Sequence, residues 1–410
     1  MRYYLGVDWA YQTHAVWVVD ESGMKVTAGA VSHTAEGLGA WGRQLDEWRA
    51  QGIELWAAIE RPDGRVVDLL LDHGVVVYPV NPKALDRARD RFRQSGAKSD
   101  PFDARVLAEF LRTDHAHLRA LQPSSDGAQE LKLLTEDCQR HIRQQTRLVN
   151  QLTATLKAYY PRALEVAELT SALAREFLPA YPTPEALTAL TERQWQRWAR
   201  AHRLTEARAK ELWAVLRQPQ LPVPAHVVRA KARLMRALVE QLMPVMAAVA
   251  QYRKAIDDFF ASMPAAQWTR TLPIGKHGIT APTLWARLGD APGRWESFRH
   301  LQAHAGTVPV TKRSGKQQHV VQFRFACDKA LRYVVDQVAF LSLLSSTWAR
   351  VYYDQQRARG HSHRQALRAL GAKWLKIIFV MWERHVPYDE QYHLATMTRQ
   401  QLRPRQTQIA

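Results

Sequence analysis

The feature that most constrains the fold is the order of apolar runs in the first 118 residues. Three such runs, at 3–9, 15–19 and 24–31, are joined by short polar turns and predict an antiparallel meander of strands. Helical and strand-like runs then alternate, and the last helix begins near Asp100. The order strand, strand, strand, helix, strand, helix, strand, helix predicts a mixed α/β sheet, in which right-handed crossovers add parallel strands to the meander.

This order is RNase H-like, and it brings four carboxylates to one edge of the predicted sheet. Asp8 and Glu60 lie at the carboxyl ends of two strands that such a sheet places side by side and parallel. Ligands of open sheets bind outside that edge. Asp100 and Asp103 lie at the start of the last of these helices, where Pro101 suits the first turn. Their spacing of three residues places both on one face of the helix.

The four acids predict a metal site, because converging carboxylates that lack a local basic partner are costly unless they bind divalent cations. Oxygen ligands of this kind suit Mg²⁺ or Mn²⁺, and two such ions support displacement at phosphorus. Taken singly, Asp100 is a suitable N-cap and Asp103 is favoured by the helix dipole. Asp8 and Glu60 could likewise be ordinary acids at strand ends. The coincidence of all four at one edge favours the two-metal site.

The charge of the chain points to a polyanionic partner. Lys and Arg number 57 against 39 Asp and Glu, which gives a net charge of +18 at pH 7 and a pI near 10.1. The cationic segment before and within the Asp100 helix is predicted to contact nucleic-acid phosphates. Its candidate contacts are Arg87, Arg91, Lys98 and Arg105. A solvated amphipathic helix is the alternative explanation for these cations.

Other features of the composition exclude several classes of protein. Hydrophobic residues make up 46% and charged residues 23%, which is typical of a globular chain. No apolar run has transmembrane length, and no signal peptide is evident. The two cysteines, Cys138 and Cys327, lack the spacing of a zinc site or of a disulfide framework. We therefore expect a cytoplasmic, nucleoid-associated protein with no membrane partner.

The length of 410 residues predicts more than one domain. We predict an α/β catalytic domain over 1–118, a helical region over 119–262, a mainly helical domain over 263–398 and a polar tail over 399–410. The middle region contains two long helical stripes of apolar residues. We expect these helices to pack as a coiled-coil-like pair, within the chain or across a dimer.

The C-terminal region contains two candidate phosphate-binding features. Gly275 and Gly278 form a Gly-x-x-Gly turn around Lys276, of the type that lets backbone N–H groups approach a phosphate in helix–hairpin–helix proteins. Further on, Ser314 lies in a glycine-flanked, cationic loop. The cations of that loop are Lys312, Arg313 and Lys316. An ordinary glycine turn and a turn serine are the simpler alternatives.

Short motifs in both halves of the chain resemble those of the DEDD-type insertion-sequence transposases. In the N-terminal half the motifs are Gly6-Val7-Asp8, Ile59-Glu60, and Lys98-Ser99-Asp100 followed by Asp103-Ala104. In the C-terminal half they are Leu272-Pro273-Ile274-Gly275, Leu288-Gly289-Asp290, His304-Ala305-Gly306 and Ser314-Gly315. The resemblance covers about the first quarter and the last third of the chain, and the matching order is more specific than any one motif.

The resemblance implies a RuvC-like N-terminal domain whose metal ligands are Asp8, Glu60, Asp100 and Asp103. It implies that a serine of the C-terminal transposase domain, which falls here on Ser314, is the nucleophile that forms a phosphoserine ester with DNA. It also implies guidance by a structured non-coding RNA, the bridge RNA. Members of this family act as dimers or tetramers on two double-stranded DNA partners, the element junction and the target.

Two departures from the family pattern affect the site, and one of them is that the loop after Ser314 is short and glutamine-rich. The other concerns the acids. The family follows its glutamate with small residues and glycine, whereas this chain has Arg61-Pro62-Asp63-Gly64, so Asp63 is a competing ligand. Two other functions are compatible with the same residues. One is a RuvC-type nuclease that cleaves DNA with metal-activated water, and the other is a nucleic-acid-binding protein with an inactive RNase H-like fold.

Overall fold

The computed structural model describes residues 1–92, 99–275, 278–314, 317–321 and 324–402, and for 311–321 and 397–402 it describes the backbone alone. The chain divides into two compact units, Met1–Pro123 (unit 1) and Ser124–Ala410 (unit 2). No helix among the described residues combines the length and the apolar composition that crossing a bilayer requires.

Unit 1 is built on a five-stranded sheet. Its strands are β1 (Arg2–Asp8), β2 (Thr13–Val19), β3 (Lys25–Ser32), β4 (Glu54–Ile59) and β5 (Val76–Pro79). They lie in the order β3-β2-β1-β4-β5. The pairs β1–β2 and β2–β3 are antiparallel, whereas β1–β4 and β4–β5 are parallel. The predicted meander and the predicted parallel pairing of β1 with β4 are both confirmed.

Helices cover both faces of this sheet. They are α1 (Ala35–Ala50), α2 (Arg65–Asp72), α3 (Pro82–Arg89) and α4 (Asp100–Asp114), followed by a 3₁₀ turn (His115–His117). Because side chains alternate along a strand, β1 directs Leu5 and Val7 into a core with α1 and α2. Tyr4 points to the other face, into a core with α3 and α4. Unit 1 is therefore an α/β structure of three layers, which confirms the α/β prediction.

Unit 2 is organised around two long helices, α5 (Asp126–Tyr159) and α10 (Ala225–Ala261), which pack along each other. A 3₁₀ segment and four short helices lie between them in the sequence: Pro161–Glu165, α6 (Ala172–Ala180), α7 (Pro184–Thr188), α8 (Glu192–Ala201) and α9 (Glu206–Leu216). These short elements enclose a first core with one end of the pair, where Leu152 and Leu242 are fully or almost fully buried. The expected packing of the two stripes within the chain is confirmed.

The other end of the helix pair belongs to a second core. Its elements are a 3₁₀ segment (Pro264–Thr271), α11 (Thr280–Leu288), α12 (Phe298–His304), α13 (Lys329–Ser342), α14 (Thr347–Ala358) and α15 (His363–Arg384). Leu131 of α5 and Phe260 of α10 are both buried in this core. The hairpin of β6 (Val310–Ser314) and β7 (Gln317–Val321) follows α12, and α16 (Glu390–Leu402) closes the described chain.

The hairpin corrects the expected surroundings of Ser314. We expected a loop serine, but Ser314 is the last residue of β6 and its backbone pairs with Gln317 of β7. The physical reason is that β-branched residues occur on both sides of the turn, with Val310 and Thr311 before it and Val320 and Val321 after it.

Candidate active site

Two of the four predicted acids leave the sheet side by side. Strands β1 and β4 are parallel neighbours in which Val7 pairs with Ile59. Asp8 at the end of β1 and Glu60 directly after β4 therefore emerge at the same carboxyl edge. Both residues are half-buried, so this edge is accessible to a ligand.

Helix α4 contributes the other two acids. It begins at Asp100 after the N-cap residue Ser99, and Pro101 occupies the first turn. The N–H of Asp103 donates to the carbonyl oxygen of Ser99 at 2.9 Å, which closes that turn. Asp100 is exposed, whereas Asp103 is 8% exposed. The helix thus presents one acid to solvent and holds the other inside the unit.

The distance between α4 and the sheet depends on Gly6 in β1. A Cβ atom at this position would lie 1.8 Å from the carbonyl oxygen of Ala104 and 2.5 Å from the backbone nitrogen of Ala108. Only glycine permits the two backbones to approach so closely. Asp8 follows Gly6 by two residues, and Asp103 directly precedes Ala104. The close contact therefore holds a carboxylate of the strand near a carboxylate of the helix.

The pKa of Asp8 links the four acids electrostatically. Burial raises the pKa of Asp8, and the charges of Asp103, Asp100 and Glu60 raise it further, to about 6. The positive charge of Arg89 acts in the opposite direction. Ionisation of Asp8 is therefore opposed by three neighbouring carboxylates, and a divalent cation is a natural counter-ion for such a group.

Arg89 at the end of α3 is a functional-site residue that the sequence analysis did not assign. Its Nε donates to Oδ1 of Asp103 at 2.6 Å and its Nη2 to Oδ2 at 2.7 Å, while Nη1 contacts Asp86 at 3.1 Å. The side chains of Arg89 and Asp103 are 13% and 11% exposed, so water screens this bidentate pair little. The expectation that the acids lack a local basic partner is therefore wrong. Because Arg89 ends α3 and Asp103 lies in the first turn of α4, no local pattern marks their pairing.

The donor set suits a hard divalent cation, but it is not arranged as a complete cage. Carboxylate oxygens are the ligands that Mg²⁺ and Mn²⁺ prefer. Throughout the described residues, the four acids included, no three Asp, Glu, His or Cys side chains lie close enough to hold one ion. Asp103 is turned towards Arg89, so coordination through Asp103 requires that this ion pair opens.

The competing acid Asp63 has a partner of its own. Its Oδ1 accepts a hydrogen bond from Nε of Arg61 at 2.7 Å. The guanidinium of Arg61 in turn lies 4.9 Å from the ring centroid of Trp9, within the range of a cation–π contact. Asp63 thus belongs to an exposed ion pair in the segment that follows Glu60.

The predicted nucleic-acid-binding cations have different surroundings. Arg87 is exposed on α3, and Arg105 is exposed on α4 with its guanidinium carbon 5.8 Å from the centroid of Trp17. Arg91 pairs with Asp114 at 3.0 Å. The predictions for Lys98, Lys276 and Lys316, and for the side chains of Lys312, Arg313 and Ser314, lie outside the described residues. Arg87 and Arg105 are therefore accessible on the two helices that carry the site.

One of the C-terminal motifs has a clear structural role. The carboxylate of Asp290 accepts hydrogen bonds from the N–H of Ser125, at 2.9 Å, and from its hydroxyl, at the N-cap of α5. The carbonyl oxygen of Gly289, which ends α11, accepts from the indole N–H of Trp382 at 2.6 Å. The Leu288-Gly289-Asp290 motif therefore joins α11 to the long helix and to α15.

Comparison with known protein families matches both ends of the chain. Residues 5–161 match a transposase family, the DEDD transposases of the IS110 type. Residues 273–354 match the family described as transposase IS116/IS110/IS902. The first match contains all four predicted acids, and the second contains Ser314.

Individual relatives extend the similarity to almost the whole chain. The mini-circle transposase for IS117 of Streptomyces coelicolor is 30% identical over 410 residues, which cover 96% of this chain and 97% of the relative. The transposase y4uE of Sinorhizobium fredii is 34% identical over 205 residues, which cover 49% and 57%. The 42 kDa protein of the insertion element IS900 of Mycobacterium paratuberculosis is 24% identical over 409 residues, which cover 96% and 98%. The chain therefore belongs to the IS110 family of insertion-sequence transposases.

Proposed function

We propose that this transposase cuts and rejoins DNA by metal-assisted phosphoryl transfer at the cluster of Asp8, Glu60, Asp100 and Asp103. The observation that carries the proposal is geometric: Asp8 and Glu60 leave neighbouring parallel strands at one edge, and the contact of Gly6 with α4 brings the helix that carries Asp100 and Asp103 against β1. The raised pKa of Asp8 agrees with this arrangement. Carboxylates in such an arrangement are stabilised by divalent cations. We propose that the four acids hold two Mg²⁺ or Mn²⁺ ions, which polarise the scissile phosphate when bound.

The strand order supports an RNase H-like, RuvC-like assignment for unit 1. An antiparallel meander of β1 to β3, extended on the β1 side by parallel strands, is the order that the sequence led us to expect for this fold. We propose that the acids of β1, of the end of β4 and of α4 are the metal ligands of this domain, as the family resemblance implies. The assignment explains why Asp8 and Glu60 leave neighbouring parallel strands at one edge.

Ser314 is the proposed nucleophile. It ends a strand at a tight hairpin whose sequence contains the cations Lys312, Arg313 and Lys316. A serine hydroxyl is a weak nucleophile at its free pKa and needs activation. In the proposed step a bond forms between Oγ and phosphorus while one phosphodiester P–O bond breaks. The serine hydroxyl gives up its proton and the departing DNA hydroxyl gains one, and nearby cations offset the developing charge.

The resulting phosphoserine ester accounts for rejoining without an external energy source. The ester retains the energy of the phosphodiester that was broken. Attack by a hydroxyl of another DNA end on the same phosphorus restores Ser314 and joins the new strand. The proposal requires Ser314 and the acids to act on one phosphate, from one subunit or from two.

The partners of the reaction are proposed from the family resemblance and from charge. We propose double-stranded DNA, at the element junction and at the target, and a structured guide RNA. The net charge of +18 supports binding to such polyanions. We also propose a homodimer or a tetramer, because cutting and exchanging two duplexes requires several active sites.

The experiment that tests the function is a cleavage assay on element-junction DNA with cognate RNA and Mg²⁺, in which covalent protein–DNA adducts are resolved by denaturing electrophoresis. We expect an adduct that is lost in Ser314→Ala and in Asp8→Asn. Ser22→Ala and Asp72→Asn are matched controls, because both residues are exposed in unit 1 outside the cluster. Both control variants should form the adduct at the level of the unchanged protein.

Two other results would reject parts of the proposal. Nicked DNA without an adduct, unchanged by Ser314→Ala, would replace the serine mechanism by a RuvC-type nuclease that uses activated water. Binding without any cleavage, for every variant and for the unchanged protein, would leave a nucleic-acid-binding protein.

A further inference from the structure

A cavity of about 630 Å³ lies among the C-terminal helices of unit 2. Helices α12 and α14 each pack against α15, and residues of all three line the cavity together with 307–309 and with His361, which connects α14 to α15. This volume is typical of small-molecule sites, so the cavity suits a single unpaired nucleotide rather than a duplex. Among the described residues, none of the acids or cations that the sequence analysis singled out lines it.

The wall that α15 contributes is one face of that helix, and it is cationic. Its lining residues follow helical spacing: Gln365, Arg368, Ala369, Ala372, Lys373 and Lys376. The opposite face of α15, with Leu370 and Trp374, is buried in the second core. None of the described residues that line the cavity is acidic. The charge of the wall therefore favours an anionic ligand.

Two aromatic rings line the same cavity, each beside a lysine. Nζ of Lys376 lies 5.3 Å from the ring centroid of Phe298 in α12. Nζ of Lys373 lies 5.7 Å from the ring centroid of Tyr352 in α14. Both lysines are exposed, and both rings are half-buried. An aromatic ring next to a cation can stack on a nucleobase while the cation binds the adjoining phosphate.

A fixed amide adds a polar group to this lining. Gln302 of α12 lines the cavity, and its Nε2 donates to the carbonyl oxygen of Ala372 at 2.6 Å. This hydrogen bond fixes the side chain against α15. Amides held in this way are suited to hydrogen bonding with the edge of a base. Stacking surface, cation and amide are thus combined in one small cavity.

We propose that this cavity binds an unpaired nucleotide of a nucleic-acid strand, with its base against Phe298 or Tyr352 and its phosphate at Lys373 or Lys376. The proposal rests on nucleic acid as the partner of an IS110-family transposase, and it does not depend on the metal or serine chemistry. DNA and RNA strands share the required features, an exposed base and an anionic backbone, so the test treats them separately.

The position of the cavity in the chain suggests its use. Residues 307–309 line the cavity and continue directly into β6, which ends at Ser314. Five residues of extended chain, from Pro309 to Ser314, span about 17 Å at most. A nucleotide held in the cavity would therefore set the position of its strand relative to the hairpin of the proposed nucleophile.

The test uses the full-length chain in EDTA, with single strands of about 12 nucleotides that carry one 5-iodouracil, made as DNA and as RNA. We expect irradiation to cross-link Tyr352 or Phe298, as located by mass spectrometry. Tyr352→Leu should weaken binding at least about fivefold, whereas Tyr352→Phe should retain it. The melting temperature of each variant establishes that it is folded.

Charge variants provide the second measurement. The double variant Lys373→Gln/Lys376→Gln should lower affinity about tenfold and reduce the slope of log K against log salt by about 0.7, the value for one lost phosphate contact of a single strand. The matched control is Lys210→Gln/Lys254→Gln, which removes two exposed lysines of unit 2 that do not line the cavity. The control should keep the slope of the unchanged protein.

The outcomes separate the two sources of the strand. Cross-links with the DNA strand alone assign the site to an unpaired DNA nucleotide. Cross-links with the RNA strand alone assign it to a guide strand, and cross-links with both strands assign a site that accepts either. The proposal is overturned if neither ring is cross-linked in either arm, or if the cavity double variant binds like its control. Loss of the covalent adduct in the cleavage assay would leave this proposal intact. Failure of the cross-linking and charge tests would likewise leave the proposed metal and serine chemistry intact.

Discussion

Replacing Gly6 by alanine tests whether the contact between β1 and α4 holds the acids together. The new Cβ would lie 1.8 Å from the carbonyl oxygen of Ala104 and 2.5 Å from the nitrogen of Ala108. Both neighbours are backbone atoms of a helix, so neither can rotate away as a flexible side chain would. The strand and the helix must separate instead.

The size of the effect follows from these distances. Restoring an ordinary contact distance of about 3.4 Å from 1.8 Å requires a shift of about 1.6 Å, shared between strand and helix. Overpacking of this kind costs about 1–3 kcal/mol, and the rigid backbone on both sides places Gly6→Ala near 3 kcal/mol. For a unit of this size the melting temperature should fall by about 10 °C. Separation of α4 from β1 should also lower the pKa of Asp8 from about 6 towards its ordinary value near 3.8.

Calorimetry and an NMR titration of the Asp8 carboxyl carbon measure the two effects. Gly29→Ala in β3 is the matched control, because a Cβ there has no neighbour within 4 Å. The reasoning is refuted if Gly6→Ala melts like Gly29→Ala and Asp8 keeps its pKa. A lower melting temperature with an unchanged pKa would separate stability from the assembly of the acids.

Three further predictions concern charged groups. Arg89→Met should destabilise the metal-free protein by about 3–5 kcal/mol, because Asp103 loses its buried partner. In thermal melts with and without Mn²⁺, the ion should restore more stability to Arg89→Met than to the control Arg91→Met. Without metal, the free energy of unfolding should fall as pH rises through the pKa of Asp8 near 6. Mn²⁺ affinity, measured by calorimetry, should instead rise about tenfold per pH unit below 6 and level off above it. Asp8→Asn should abolish both trends. Asp290→Asn should lower the melting temperature through the N-cap of α5 without changing Mn²⁺ affinity.

The sequence predicted the strand order and the edge at which Asp8 and Glu60 emerge, because both follow from local patterns. Apolar runs and polar turns specify the strands one at a time, and connection rules then leave few topologies. Pro101 likewise predicted that a helix starts at Asp100. Such patterns do not predict the distance between packed elements. Gly6 lies within a strand, which is a signal for close backbone approach, but its partner in α4 could be identified only from the fold.

Sequence patterns could not predict the ion pair of Arg89 with Asp103 or the cavity of unit 2, because both depend on how separate elements pack. Asp103 follows Arg89 by fourteen positions, and their pairing depends on how the end of α3 packs against the start of α4. The cavity is lined by three helices and two connecting segments, so no window of sequence contains it. Ser314 was placed in a loop because glycine and lysine follow it, although the paired strands extend up to the turn.

The two cores of unit 2, joined by α5 and α10, give the molecule a lever arm. With 34 and 37 residues, these helices are about 51 and 56 Å long. Between the cores, residues 143–147 of α5 are exposed or half-buried, and the buried Val249 of α10 belongs to neither core. A tilt of about 10° where the pair enters the second core, near Ile142 and Tyr252, would move the far end of α10, about 40 Å away, through about 7 Å. A modest rotation near the C-terminal helices would thereby become a displacement of more than half a helix diameter at the first core.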